Sequence, residues 1–147
     1  MDRSITLAVD VAADAARVFD VLSTTEGQRS FWTADCDVDG DHARFGFAQA
    51  PVDLHADVTT EPKKLVRMRV SSGFPFWEGS TWEWELGPAT RAESGTSVLF
   101  RHYGFGAGYP ENDLGHTAQT WALILDRLAT VAATGTARPF FPEPGAA

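Results

Sequence analysis

The sequence predicts an α+β domain: an antiparallel sheet of six to seven strands, two short helices after the first strand, and one long C-terminal helix laid on the sheet. Three observations predict it. Near the C-terminus apolar residues recur at spacings of three and four, the period of a helix with one apolar face. From Val38 to Phe105 they recur at every second residue, the period of half-buried strands. The connections between these alternating runs are short, which favours antiparallel neighbours.

Taken in order, Ile5, Leu7, Val9 and Val11 alternate with Thr6, Ala8 and Asp10 and read as the first strand. Asp14 is an N-cap candidate for a helix from Ala15 to Leu22, with Val18, Phe19 and Leu22 inward. A second short helix is expected from about Glu26 to Trp32. Ala43, Phe45 and Phe47 then oppose His42, Arg44 and Gly46, and Pro51 breaks the run. Leu54, Ala56 and Val58 lead to a turn at Pro62-Lys63-Lys64, after which Val66, Met68 and Val70 face the same way. Residues 71–79 form a loop rich in turn formers and aromatics, including Phe74-Pro75-Phe76-Trp77. Trp82, Trp84 and Leu86, then Val98, Phe100 and His102, supply the inward parity of the last two strands. Gly104, Gly106 and Gly108 loosen the path into the long helix, a candidate gate. Leu114, Ala118, Trp121, Leu125, Leu128 and Ala132 make its stripe, Ile124 and Val131 widen it, and Gly135 ends it. Residues 1–147 read as a single domain, with a Pro-rich tail from 136 to 147 whose Phe140-Phe141 pair packs back across it.

Composition narrows the function. A formal net charge of −8 disfavours nucleic acid and anionic membranes as partners. The two lysines, Lys63 and Lys64, sit at a turn, so no buried amine is placed for Schiff-base chemistry. The one cysteine, Cys36, excludes an internal disulfide and reads as a half-buried small residue rather than a nucleophile. No histidine pair has HxH or HExxH spacing, so no metal site is expected. There is no GxSxG nucleophile motif, and without a Walker loop or GxGxxG no cofactor is expected. The absence of a long apolar stretch or a signal-like N-terminus leads to the expectation of a soluble, cytoplasmic protein.

The inward parity of the sheet carries the functional question. Phe45, Phe47, Leu54, Met68, Trp82, Trp84, Phe100 and His102 share it. With Trp121 and Leu125 of the helix, Trp32, and Trp77 of the aromatic loop, they are the candidate ligand-binding residues. They either fill the space between sheet and helix or leave part of it open as an apolar pocket. The opposite parity, with Arg44, Asp53, Arg67, Arg69, Glu83, Glu85 and Arg101, is read as a solvated face of cross-strand ion pairs. His102 is the titratable group of the apolar parity. It is either a hydrogen-bonded core histidine or a group that orients a ligand. As a weak catalytic candidate it would act as acid or base in a cyclase- or hydrolase-type reaction, with Tyr103, Tyr109 or Glu78 near the mouth.

Several segments, in this order, resemble the START-like (SRPBCC, Bet v 1-like helix-grip) superfamily. Within it, the chain is most similar to the family named for the C-terminal domain of the Hsp90 ATPase activator Aha1. They are Ala13 to Leu22, the Phe31-Trp32-Thr33 motif, Gly79 to Leu86, Gly95 to Phe105, and Trp121 to Leu128 ending at Gly135. Many relatives carry two tryptophans where this chain has Phe31-Trp32. The resemblance implies a sheet of seven strands wrapped around the long helix with a cavity between them, and no universal catalytic set. It implies a small apolar or aromatic molecule, such as a lipid, polyketide or aromatic metabolite, as partner. Sheet edges and helix faces offer surfaces for a homodimer. The co-chaperone role carries over poorly to a lone acidic domain.

Overall fold

A computed structural model describes residues 3–48 and 50–142. Its elements run β1 (Ser4–Val11), α1 (Ala15–Ser23), α2 (Thr25–Phe31), β2 (Cys36–Asp39), β3 (His42–Phe45), β4 (Leu54–Glu61), β5 (Leu65–Ser72), β6 (Thr81–Pro88), β7 (Thr96–Tyr103) and α3 (Glu111–Thr134). The strands form one antiparallel sheet of seven in the order β1-β7-β6-β5-β4-β3-β2. A register shift between His55 and Ala56 bends β4, as a bulge does, and helps the sheet curl. The result is the helix-grip α+β fold expected from the sequence.

Local chemistry sets the helices. The Asp14 carboxylate accepts from the Arg17 backbone N–H at 2.8 Å and starts α1. One residue separates α1 from α2. That residue, Thr24, caps α2 by accepting from the Gly27 N–H at 3.0 Å. A Cβ on Gly27 would lie 2.0 Å from the Val21 carbonyl oxygen, so glycine is required for the two helices to meet. Buried Gln28 donates to the Leu22 carbonyl at 2.7 Å and locks the pair. This places Trp32, the residue after α2, under α3. At the other end of the chain Gly135 adopts φ 76°, the left-handed conformation that ends α3.

The core holds the inward parity. Trp82, Trp84, Phe100, Phe45, Leu54, Met68 and His102 are each 0 % exposed, and Trp121 of α3 is 2 % exposed. Three details depart from expectation. Cys36 is fully rather than half buried, and burial pushes its thiol up to about 11. Glu83 is buried rather than solvated, held by Arg67 at 3.1 Å. Strand β3 ends at Phe45, so Phe47 is not a strand residue. The cause of the last is Gly46. Its N–H bonds the Asp35 carbonyl at 2.7 Å, and a Cβ there would lie 2.2 Å from the Asp35 carboxylate. The chain turns off the sheet at that point.

On the outer face Arg44 reaches Asp35 and Asp37, each at 2.8 Å, and Asp53 at 3.4 Å. Arg101 reaches Glu85 at 3.6 Å. Exposed pairs of this kind contribute at most about 1 kcal/mol each.

The tail returns to the domain. Arg138 donates to the Ser30 carbonyl at 2.7 Å, Phe140 to Phe31 at 3.1 Å, and Phe141 to Trp32 at 2.7 Å, all through backbone N–H groups. The Ala34 N–H bonds the Phe141 carbonyl at 3.0 Å, and Thr33 and Phe141 form a parallel bridge. The remainder of the tail, 143–147, lies outside the described residues.

Candidate functional site

The space between sheet and α3 divides into a closed part and an open part. The closed part centres on His102. Its Nδ1 accepts from the Trp121 indole N–H at 3.1 Å. An indole nitrogen is only a donor, so a neutral His102 carries its proton on Nε2 and donates to Ser80 Oγ at 2.9 Å. Burial pushes its pKa down from 6.5 to about 3, so the ring is neutral at physiological pH. Trp77 and Phe105 pack their rings on it at 4.7 and 4.2 Å. Both ring nitrogens are thus spent on protein partners, and His102 has none to offer as an acid, base or ligand-orienting group. It is the hydrogen-bonded core histidine.

The open part is an apolar pocket of about 320 Å³. Trp32, Phe47, Ala50, Phe74, Trp77 and Phe141 form one wall; His116, Thr117, Thr120, Trp121 and Ile124 of α3 form the other. The aromatics of the first wall arrive by four routes. Trp32 follows α2, Phe47 has left β3, Phe74 and Trp77 belong to the 73–79 loop, and Phe141 comes from the tail. Rings meet in tilted and edge-on pairs: Trp32 with Phe47 at 5.6 Å, Phe47 with Phe74 at 5.5 Å, and Phe47 with Phe141 at 5.1 Å. Trp77 is fixed by a relay. Its indole N–H donates to Tyr109 Oη at 3.2 Å, and Tyr109 Oη meets Thr117 Oγ1 at 2.7 Å. The Gly106 N–H bonds the Phe76 carbonyl at 2.7 Å, which ties the glycine segment to the aromatic loop. That bond holds the segment that the sequence offers as a candidate gate.

Of the candidate residues, Trp32, Phe47, Trp77 and Trp121 face the pocket. Phe45, Leu54, Met68, Trp82, Trp84, Phe100, His102 and Leu125 are off its wall, in packed contacts. Phe45, for example, lies 4.5 Å from Trp32, and Phe100 lies 4.6 Å from Trp121. Trp82 and Trp84 keep buried indole nitrogens without a hydrogen-bond partner among the described residues. Thr117, Thr120 and His116 were missed because they are polar and flank the apolar stripe of α3. Their spacing from Trp121 and Ile124 nevertheless puts them on one helix face. Phe141 was placed correctly as a packed residue, but no periodic signal assigns it to a wall.

Three other surface grooves, of about 610, 540 and 580 Å³, are larger. Their walls are strand edges, turns and helix ends with charged groups, such as Asp14 and Lys63, or Arg3 and Arg101. Volume alone therefore does not pick the site; the aromatic lining does. On the outer sheet face His42 Nε2 and His55 Nδ1 stand 3.1 Å apart across β3 and β4, a pairing that sequence spacing hides. Among the described residues no cluster of three metal-ligating side chains accompanies them. No helix among those residues is long and apolar enough to cross a membrane.

Comparison with known proteins finds no matching family model and no match among curated proteins. Solved structures do match. The chain superposes on the Aha1 dimer structure from Colwellia psychrerythraea with a TM-score of 0.75 and 22 % identity, over 90 % of this chain and 98 % of that one. A protein of Mesorhizobium loti gives 0.72 and 15 %, over 88 % and 96 %. DynU16, a protein of the dynemicin biosynthetic locus, gives 0.72 and 18 %, over 97 % of this chain and 52 % of that one. At these identities the likeness is one of fold, the helix-grip fold of SRPBCC and Aha1-like proteins.

Proposed function

We propose that this chain is a binding protein for a small apolar or aromatic molecule, held in the pocket between α3, the 73–79 loop and the returning tail. One observation carries the reading. A space of about 320 Å³ stays open between α3 and the aromatic loop, and six aromatic rings line it. Rings left facing an open space represent apolar area that a ligand can remove from water, at about 25 cal/mol per Å². The volume falls at the lower end of the roughly 300–1,000 Å³ common for small-molecule sites. The fold likeness to a protein of a biosynthetic locus supports a small-molecule role.

Filling the space tests it. Ala50 lies on the wall and only partly buried. In Ala50→Trp the new ring occupies the pocket without disturbing the core. The wild-type chain should show shifted indole N–H resonances when titrated with naphthalene-sized aromatics, and the variant should not. Identical titrations for both would overturn the reading.

Self-association belongs to the same proposal, supported by the likeness to a protein solved as a dimer. Sedimentation velocity tests it, and a monomer at all concentrations would remove it. A cytoplasmic location is proposed with it, in keeping with the free, buried Cys36.

A further inference from the structure

We propose that the pocket selects an uncharged aromatic molecule bearing one hydroxyl or carbonyl oxygen, with that oxygen held by Thr120 and His116. The inference rests on the reading of the pocket as a ligand site and names the ligand's class.

Charge is the first argument. Among the eleven residues that line the pocket there is no Asp, Glu, Lys or Arg. A carboxylate or ammonium set against the rings would lose its water and meet no Asp, Glu, Lys or Arg to offset that loss, a cost of several kcal/mol. The chain's net charge of −8 adds a general bias against anions. Fatty acids and aromatic acids are thereby disfavoured, although their apolar parts suit the wall.

Hydrogen-bonding capacity is the second. The hydroxyls and the imidazole of the pocket fall on one face of α3, and most of the pocket's hydrogen-bonding groups are already committed. Thr117 Oγ1 meets Tyr109 Oη at 2.7 Å, the Trp77 indole donates to the same Tyr109 Oη at 3.2 Å, and the Trp121 indole donates to His102 at 3.1 Å. Thr120 is different. Near the far end of α3, Thr130 and Thr134 turn their hydroxyls back onto helix carbonyls at 3.2 and 2.8 Å. Thr120 lines the pocket, and among the described residues its hydroxyl has no partner. His116, one helical turn earlier on the same face, supplies a ring nitrogen that can donate or accept. A hydroxyl and an imidazole match a phenol or an aryl ketone, whose single oxygen needs one or two such partners.

Shape is the third. Flat rings stand on both walls, and Trp77 of the loop and Trp121 of α3 are nearly parallel at 21° and 6.3 Å. Planar rings lie against such a wall without the conformational cost of a long alkyl chain.

The test compares four probes of related size at pH 7 by calorimetry and by indole N–H shifts: 2-naphthol, naphthalene, 2-naphthoate and decanoate. The expected order places 2-naphthol about five- to tenfold above naphthalene, the size of one net hydrogen bond, and both acids below it. Thr120→Val, which keeps the side-chain shape, should erase the advantage of 2-naphthol over naphthalene. Equal binding of naphthol and naphthoate, tighter decanoate, or an advantage that survives in Thr120→Val would overturn the inference and leave the pocket reading standing. Failure of all four probes to bind would overturn both.

Discussion

Phe100 and Phe47 are the same side chain, both set beside tryptophans beneath α3, and they meet different fates. Phe100 sits on β7, fully buried, between Trp121 at 4.6 Å and Trp84 at 5.7 Å. Phe47 sits two residues past the end of β3, half-buried, on the wall of the pocket. The same split runs through the interior. Phe45, Leu54, Met68, Trp82, Trp84 and His102 lie on strands and pack. Trp32, Phe74, Trp77 and Phe141 lie on loops, a helix end and the tail, and they line the opening. A strand side chain has neighbours on both flanking strands roughly 4.8 Å away, so adjacent rings close the space between them. A loop residue is free of that lattice, and the cavity begins where the lattice stops.

The largest expected effect tests that contrast directly. Phe100→Ala should destabilise the fold by about 3–5 kcal/mol, because the cavity it leaves is sealed on every side. Phe47→Ala merely widens a space already open and should cost about 1–2 kcal/mol. Urea denaturation of the two variants measures both. Equal losses would show that Phe47 is a core residue after all and that the open part is incidental.

A second comparison sharpens the closed part through pH. His102 is held neutral, with its pKa lowered from 6.5 to about 3 by burial. Between those values the unfolded chain binds a proton here that the folded chain does not. Stability from this group is therefore full above pH 6.5 and falls as pH drops toward 3, by up to about 1.4 kcal/mol per pH unit. His102→Gln keeps a donor and an acceptor for Ser80 and Trp121 but cannot titrate. Its stability should fall less steeply than the wild type's between pH 6.5 and 4.5. The same slope in both proteins would place the histidine in water.

Much of this was legible in the sequence. Periodicity located α3 and its Gly135 stop, the N-cap at Asp14, and the inward parity of β4 to β7, because each rests on local rules of spacing and capping. The candidate site was less legible. Trp32 and Trp77 were singled out for aromatic loops and motifs, whereas the strand residues were chosen by parity. Parity tells which way a side chain points but not whether its neighbours fill the space in front of it. Phe47 was assigned to a strand because the alternation continues through Gly46, and only the approach of Asp35 to that glycine reveals the turn. Thr120 carries no sequence signal and His116 lies off the main stripe of α3, because polar residues beside an apolar stripe read as a solvated flank. The partners of His102, Trp121 and Ser80, lie far from it in the chain, so a satisfied core histidine and a free one look alike in sequence.

The smallest effect on stability is expected at Phe141, where the loop-borne side of the comparison is most exposed to test. The tail is held by backbone hydrogen bonds, from the Phe141 N–H to the Trp32 carbonyl and from the Ala34 N–H to the Phe141 carbonyl, and these do not depend on the side chain. Arg127 adds further anchors upstream by donating to the Arg138 and Pro139 carbonyls at 3.2 and 3.1 Å. Phe141→Ala should therefore leave the tail in place and cost about 1 kcal/mol or less by urea denaturation. The ring itself is part of the wall and meets Phe47 edge-on at 5.1 Å, so its removal should weaken 2-naphthol several-fold, read mainly as faster dissociation. A loss of stability as large as that of Phe100→Ala would mean that the tail is an integral layer of the core. Unchanged binding would mean that the ligand sits deeper, against Trp32 and Trp121 alone.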